Sequence, residues 1–287
     1  MPHYPTPSGE ETKRRTEDMG LLNGKTAVII GAADEGNMGQ AIARRYRAEG
    51  ADVVVASRRT DALAAFAKEI SGYSCRCDLT SRKDVFALAE FVKNKLGRID
   101  IAVNSTGLAL GGDFIEFSEA DLDTMIALQF KGSFFFLQAM SAAMLDSGGS
   151  IIQISSAVAQ PSCTVDAGYE GYMGTKAGID HVVRCVANKY GQYGIRVNSI
   201  AAGHTDTPMH HANFGGGDIP DWMKAAFAAE YPLGRYGNCE DIAESCVWLA
   251  RDECFMTGQT VQINGGLTLR RNPLMADLER AERDSKS

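Results

Sequence analysis

Short apolar runs and amphipathic stretches take turns along the chain. Residues 25–31 (KTAVIIG), 51–56 (ADVVVA), 73–77, 99–103, 150–155 (SIIQIS), 195–200 (IRVNSI) and 260–263 are four to seven residues long and mostly apolar or β-branched. Between them, 40–49, 60–70, 82–96, 122–145, 169–190 and 241–249 carry apolar positions at helical spacing. Runs too short for helices and apolar on both faces predict parallel strands covered on both sides. Strands that alternate with helices predict an α/β protein. About seven strands in one pattern, with no linker or repeat, predict a single-domain Rossmann-type doubly wound parallel sheet over residues 23–269. A flexible arm (1–22) would precede it and a charged tail (270–287) would follow, free or covering a neighbouring subunit. The least regular stretch, 203–232, holds the run Gly215, Gly216, Gly217. A loop of that length in a compact domain is usually functional or disordered, and it is expected to be a mobile lid.

Composition narrows the class. With 45% hydrophobic and 23% charged residues among 287, the chain is ordinary globular protein with material for a large core. A net charge of -7 argues against a broad polyanion-binding face and so against nucleic acid, while leaving room for a local arginine pocket. No apolar run is long enough to span a membrane, and the N-terminal arm lacks the apolar centre of a signal peptide. The seven cysteines are odd in number and scattered, with Cys75 and Cys77 spaced as strand neighbours, which predicts reduced thiols and a cytoplasmic protein. His210 and His211 are adjacent, with no further ligand at helical spacing, so no metal is expected.

The candidate chemistry begins where the first strand ends. Gly31, Gly36 and Gly39 precede a helix, with Asn37 and Met38 between the last two. Glycines there allow a tight turn and let backbone amides approach a pyrophosphate at the positive end of the helix. This turn predicts a dinucleotide site lined by Gly31, Asn37, Met38 and Gly39. The second strand ends in Ser57, Arg58 and Arg59, without a carboxylate. An acid at that place bonds a ribose 2′-hydroxyl, whereas a guanidinium grips a 2′-phosphate. Arg58 therefore favours NADP(H) over NAD(H).

Tyr172 and Lys176 stand four apart in a predicted helix, hence on one face. A tyrosine ionises near ~10, too high for proton exchange at neutral pH. A nearby ammonium, together with an oxidised nicotinamide, is expected to lower it, making Tyr172 a general acid/base. Ser156, at the end of the fifth strand, would hold the reacting oxygen by a hydrogen bond.

Taken in register, these features resemble the short-chain dehydrogenase/reductase family. The motifs are the glycine turn, Cys77-Asp78-Leu79, Asn104 to Gly107 (NSTG), Ser155-Ser156, Tyr172 with Lys176, Arg196 to Asn198 (RVN), Thr207-Pro208-Met209, and Gly258-Gln259 with Gly265-Gly266. The resemblance implies an NAD(P)-dependent enzyme that interconverts a secondary alcohol and a ketone, assembled as a homotetramer or homodimer through the two long helices. It implies Asp78 and Leu79 beside the adenine, and Asn104 and Gly107 on the adenosine side. Thr205 would meet the carboxamide through its backbone, and Thr207 the pyrophosphate through its hydroxyl.

Four places depart from the family pattern. Gln129 stands where the family has the asparagine of a proton relay, so a relay there would shift or fail. Ala202-Gly203 replaces Pro-Gly. The interval from Ser156 to Tyr172 and the glycine turn are both longer than usual. The last two keep a second chemistry open: Tyr169 precedes Lys176 by seven, the spacing of enoyl-thioester reductases in the same superfamily. A non-catalytic nucleotide sensor would have lost Tyr172 or Lys176, and both are present. Phe214, Trp222, Met223 and Phe227 either line an apolar substrate pocket or pack the lid.

Overall fold

Ala27 and Ile29 on β1 (Thr26–Ile30) enter one apolar cluster and Val28 and Ile30 the other, and all four are buried. The same alternation runs through the neighbouring strands, which is why each reads as an uninterrupted apolar run. The computed structural model describes residues 20–160, 168–213 and 217–286. Six further strands follow: β2 (Asp52–Ser57), β3 (Tyr73–Arg76), β4 (Ile101–Asn104), β5 (Gly149–Ser156), β6 (Ile195–Ala202) and β7 (Thr260–Ile263). All pair in parallel in the order β3-β2-β1-β4-β5-β6-β7. The chain therefore folds as the doubly wound sheet expected. Its order reverses between β1 and β4, and the crevice beyond their C-terminal ends is the place such sheets offer a ligand.

Helices α1 (Met38–Ala48), α2 (Thr60–Glu69) and α9 (Cys239–Ala250) cover one face, burying Ile42, Tyr46, Phe66 and Ile242. On the other face lie α3 (Arg82–Leu96), α5 (Ser133–Ala143) and α6 (Glu170–Tyr190), with Leu88, Phe136, Leu137, Ile179 and Val183. No helix among the described residues is long and apolar enough to cross a membrane.

Three segments differ from expectation. Residues 122–145 do not form one continuous α-helix: α4 (Glu119–Met125) passes into a π-helical segment, Ile126–Gly132, before α5 resumes. The widened turn carries Gln129 inward, where it is buried against α6, and such bulges are often found at functional sites. The stretch 203–232 is not merely irregular. It contains α7 (Pro208–Asn213) and α8 (Asp221–Glu230), each preceded or opened by a proline. Phe214 lies outside the described residues, as do most of the arm 1–22 and the loop between β5 and α6. The charged tail forms α10 (Met275–Ser285), packed on α8 of its own chain.

Candidate active site

The glycine turn is built so that only glycine fits at two of its positions. A Cβ added to Gly31 would stand 2.8 Å from the Ser105 hydroxyl, and one on Gly39 would stand 2.5 Å from the Gly31 carbonyl oxygen. Gly31 and Gly36 also adopt φ of 99° and 74°, which strain other residues. Asn37 fastens the turn to the helix: its Oδ1 accepts from Gln40 N at 2.9 Å, and its Nδ2 donates to the Gly31 carbonyl at 2.9 Å. The amides at the start of α1 thus face a groove of about 1300 Å³ that runs along the C-terminal ends of the strands. Gly31, Asn37, Met38, Arg58, Leu79, Gly107, Thr205 and Thr207 all line it. These residues fit a dinucleotide, with a positive helix end suited to a pyrophosphate and a guanidinium in the lining.

Several expected contacts are arranged differently. Arg59 pairs with Asp34, whereas Arg58 lines the groove without a hydrogen bond or ion pair to any described residue. Asp78 does not line the groove. Its Oδ1 accepts from the Thr80 amide at 3.0 Å and the Thr80 hydroxyl at 2.8 Å, shaping the turn that presents Leu79. Asn104 is fully buried and also absent from the lining. Its amide nitrogen donates to Ser133 and Gln153, both at 3.0 Å, and its oxygen accepts from the Thr106 hydroxyl at 2.7 Å. A short polar side chain at a strand end closes its own turn, so Asn104 shapes the segment 105–107 that lines the groove.

Beside the groove, α6 grips two successive residues of β5. Lys176 Nζ donates to the Ile154 carbonyl at 2.9 Å. Ser155 Oγ donates to Asp180 Oδ2 at 2.9 Å. Ser156 and Tyr172 line the groove together, and the Ser156 hydroxyl favours ionisation of the Tyr172 phenol. Positions 172, 176 and 180 lie four apart, so one face of α6 carries all three partners. Tyr169, at the cap of α6, lines the same groove, half-buried.

Burial governs the ionisation of these groups. Lys176 is 3% exposed, and desolvation pushes its ammonium down to about 8 against the opposing pull of Asp180. Tyr172 is pushed up by burial, with the Ser156 hydroxyl acting against this and Asp180 adding to it. The expectation that Lys176 lowers Tyr172 is therefore corrected for the chain by itself: the cost of burying a phenolate outweighs the ammonium, whose nitrogen stands 5.8 Å from the ring centre. Asp180 is likewise pushed up by burial, opposed by Ser155 and Lys176.

Gln129 braces this helix from the π segment. Its Nε2 donates to Thr175 Oγ1 at 3.0 Å, and Thr175 donates in turn to the Tyr172 carbonyl at 2.8 Å. Its Oε1 accepts from the Leu108 amide at 3.4 Å. Its side chain is thus committed to α6 and to the 107–108 backbone, and it does not line the groove.

At the far end, His204 and His210 line the groove with Trp222, Met223 and Phe227. The His204 ring lies 4.2 Å from the Phe227 ring and its Nδ1 3.0 Å from the Tyr231 hydroxyl, and burial pushes its pKa down to about 3. His210 and His211 diverge, the first onto Tyr236 and the second onto Asp206. Sequence reasoning missed Asp180, Thr175 and His204. Only Asp180 left a signal, its place on the helical face of Tyr172 and Lys176.

The Asp180 carboxylate stabilises the Lys176 ammonium and disfavours the Tyr172 phenolate, so its removal acts on both in the same direction. Asp180→Asn should lower the ionisation midpoints of both residues, as read by NMR titration of labelled lysine and tyrosine side chains. Unchanged midpoints would show that Asp180 only packs.

Comparison with known proteins agrees with this architecture. The sequence model of a family described as enoyl-(acyl carrier protein) reductase matches residues 31–268. The 3-oxoacyl-(acyl-carrier-protein) reductase FabG of Thermotoga maritima is 31% identical over 86% of this chain and 99% of its own length. The oxidoreductase UcpA of Salmonella typhimurium is 34% identical over 88% of this chain and 97% of its own. A crystal structure of a short-chain type dehydrogenase/reductase from Mycobacterium marinum superposes with a TM-score of 0.75 at 30% identity, covering 86% of this chain and 96% of that one. Fold, motif order and relatives agree: the chain is an oxidoreductase that belongs to the short-chain dehydrogenase/reductase family.

Proposed function

We propose that this protein interconverts a secondary alcohol and a ketone with NADP(H), Tyr172 acting as general acid/base with Ser156 and Lys176. The observation that carries this reading is that Ser156, Tyr172 and Lys176 line one groove, with Lys176 held on Ile154 of the strand that ends in Ser156. Two hydroxyls together can hold one carbonyl oxygen, and a phenol kept neutral by burial is the proton donor that ketone reduction requires. A bound nicotinamide supplies or accepts the hydride. Lys176, which lines the groove, spends one of its three N–H donors on Ile154, leaving two for a bound molecule. Gln129 acts as a positioning residue through Thr175, in place of the family's relay asparagine.

The second reading, enoyl-thioester reduction with Tyr169 and Lys176, is favoured by the exposure of Tyr169 to the same groove. Only burial acts on the Tyr169 phenol, whereas the Ser156 hydroxyl also acts on that of Tyr172. A sensor without catalysis has no need of the buried Tyr172–Lys176 pair. For assembly we infer a homotetramer or homodimer, because Leu122, Ile126, Phe130 and Phe134 form an exposed apolar stripe along α4 to α5. Light scattering that gave a monomer mass would contradict it.

Two sets of variants test the chemistry. Tyr172→Phe should abolish turnover of ketones and secondary alcohols while leaving cofactor affinity nearly unchanged. Tyr169→Phe should act mainly on KM. Loss of all activity in Tyr169→Phe alone, with an enoyl thioester as the only substrate reduced, would establish the second reading instead. For the cofactor, Arg58→Ala should weaken NADPH by roughly tenfold to a hundredfold, as expected for one charge-assisted bond, and leave NADH unchanged. Equal dissociation constants for NADPH and NADH in the wild-type protein would remove the preference.

A further inference from the structure

The substrate end of the groove has a wall that the shared family region does not provide. The family match ends at residue 268, yet Pro273, Met275, Leu278, Glu279 and Glu282 line the groove. Leu278 packs against a small cluster of Ala157, Phe227, Tyr231 and Leu267, which Met223 also joins. Ala157 directly follows the Ser156 hydroxyl, so this cluster joins α10 to the reacting centre.

The segment is anchored rather than trailing. Arg270 donates to the Ala229 carbonyl at 3.0 Å, near the C-terminal end of α8, where a cation is favoured. Arg271 bridges Glu230 and Asp277, at 3.4 and 2.8 Å. Each of these pairs is partly exposed and individually weak, but together they fix where α10 starts. Along this helix Leu278 is partly buried against the cluster, Met275 is half-exposed, and Glu279 and Glu282 line the same groove. Glu282 pairs with Lys286, while Glu279 has no ion pair with any described residue.

We propose that α10 is the specificity wall of this site: it selects an uncharged, apolar ketone or secondary alcohol and turns away acyl thioesters on polyanionic carriers. The selection follows from two features acting in sequence. Trp222, Met223, Phe227, Leu267, Met275 and Leu278 offer an apolar chamber behind the reacting hydroxyls, suited to an aliphatic or aromatic body. A coenzyme A or phosphopantetheine arm that passed Glu279 and Glu282, which line the same groove, would bring its phosphates to negative charge. This proposal rests on the carbonyl reading of the site for its substrate class, but the wall itself is measured by binding, independently of turnover.

The test uses the full-length protein with NADPH and two probes. One is 6-propionyl-2-(dimethylamino)naphthalene, an uncharged aromatic ketone whose emission reports an apolar environment. The other is acetoacetyl-coenzyme A, followed by its competition for the first. Leu278→Ala should weaken the naphthyl ketone by about tenfold, the cost of part of a buried leucine, without changing NADPH affinity. The double variant Glu279→Lys with Glu282→Lys reverses the charge of two groove-lining positions and removes the Glu282–Lys286 pair, so circular dichroism is first used to confirm an unchanged helix content. It should leave the naphthyl ketone within about twofold and strengthen acetoacetyl-coenzyme A on the order of tenfold, a gain lost at high salt. The proposal is overturned if Leu278→Ala binds the ketone like wild type, or if charge reversal leaves the thioester unmoved. It is also overturned if the wild-type protein binds the thioester more tightly than the ketone. If both probes bind as expected yet no ketone is ever reduced, the wall stands and the carbonyl chemistry fails.

Discussion

A buried ammonium held by a backbone carbonyl is the contact on which the rest of the site depends. Lys176 is nearly inaccessible, and taking its charge out of water is costly unless it is hydrogen-bonded and compensated. Ile154 supplies the hydrogen bond and Asp180 the compensating charge. Because Ile154 lies at the end of β5 and Lys176 in the middle of α6, this one contact sets the register of the helix against the strand. Ser155 on Asp180 follows from that register, as does the placing of Ser156 and Tyr172 along one groove. The Ser156 and Tyr172 hydroxyls are therefore placed by the structural bonds of their neighbours.

The two ends of the groove are made by different means. At the end beside the glycine turn the backbone does the work: glycines without Cβ atoms, the start of α1 and the loops beyond β2, β4 and β6 form the lining. That end lies within the residues that match the family model. At the other end side chains from α7, α8 and α10 do the work, and α10 lies beyond those residues. A scaffold of this kind changes substrate by changing loops and appended segments while the sheet and the Tyr172–Lys176 face remain.

Much of this was legible in the sequence because the strands are buried on both faces. Continuous β-branched runs such as TAVII and DVVVA have few other ways to fold, and Arg82–Leu96 and Thr260–Ile263 fall where their patterns place them. The site motifs were legible for a similar reason, since helical spacing put Tyr172 and Lys176 on one face. What escaped depends on contacts distant in sequence. The π segment follows from Gln129 reaching Thr175, forty-six positions away, and helical periodicity carries no mark of it. The charged tail reads as a solvated helix because its anchors, Arg270 and Arg271, pair with α8. Asp78 and Asn104 show the opposite case. Their motif was visible, but a short polar side chain at a strand end serves its own turn first, and only the structure shows where its oxygen is spent.

The central claim is that hydride arrives at a carbon whose oxygen is held by Ser156 and Tyr172. Incubation with NADPH deuterated at the transferred position, and with an α,β-unsaturated ketone offering both acceptor carbons, tests it in one measurement by locating the label in the product by NMR. The account predicts deuterium on the carbinol carbon with the double bond retained. Deuterium on the β-carbon, with the carbonyl intact, would contradict it.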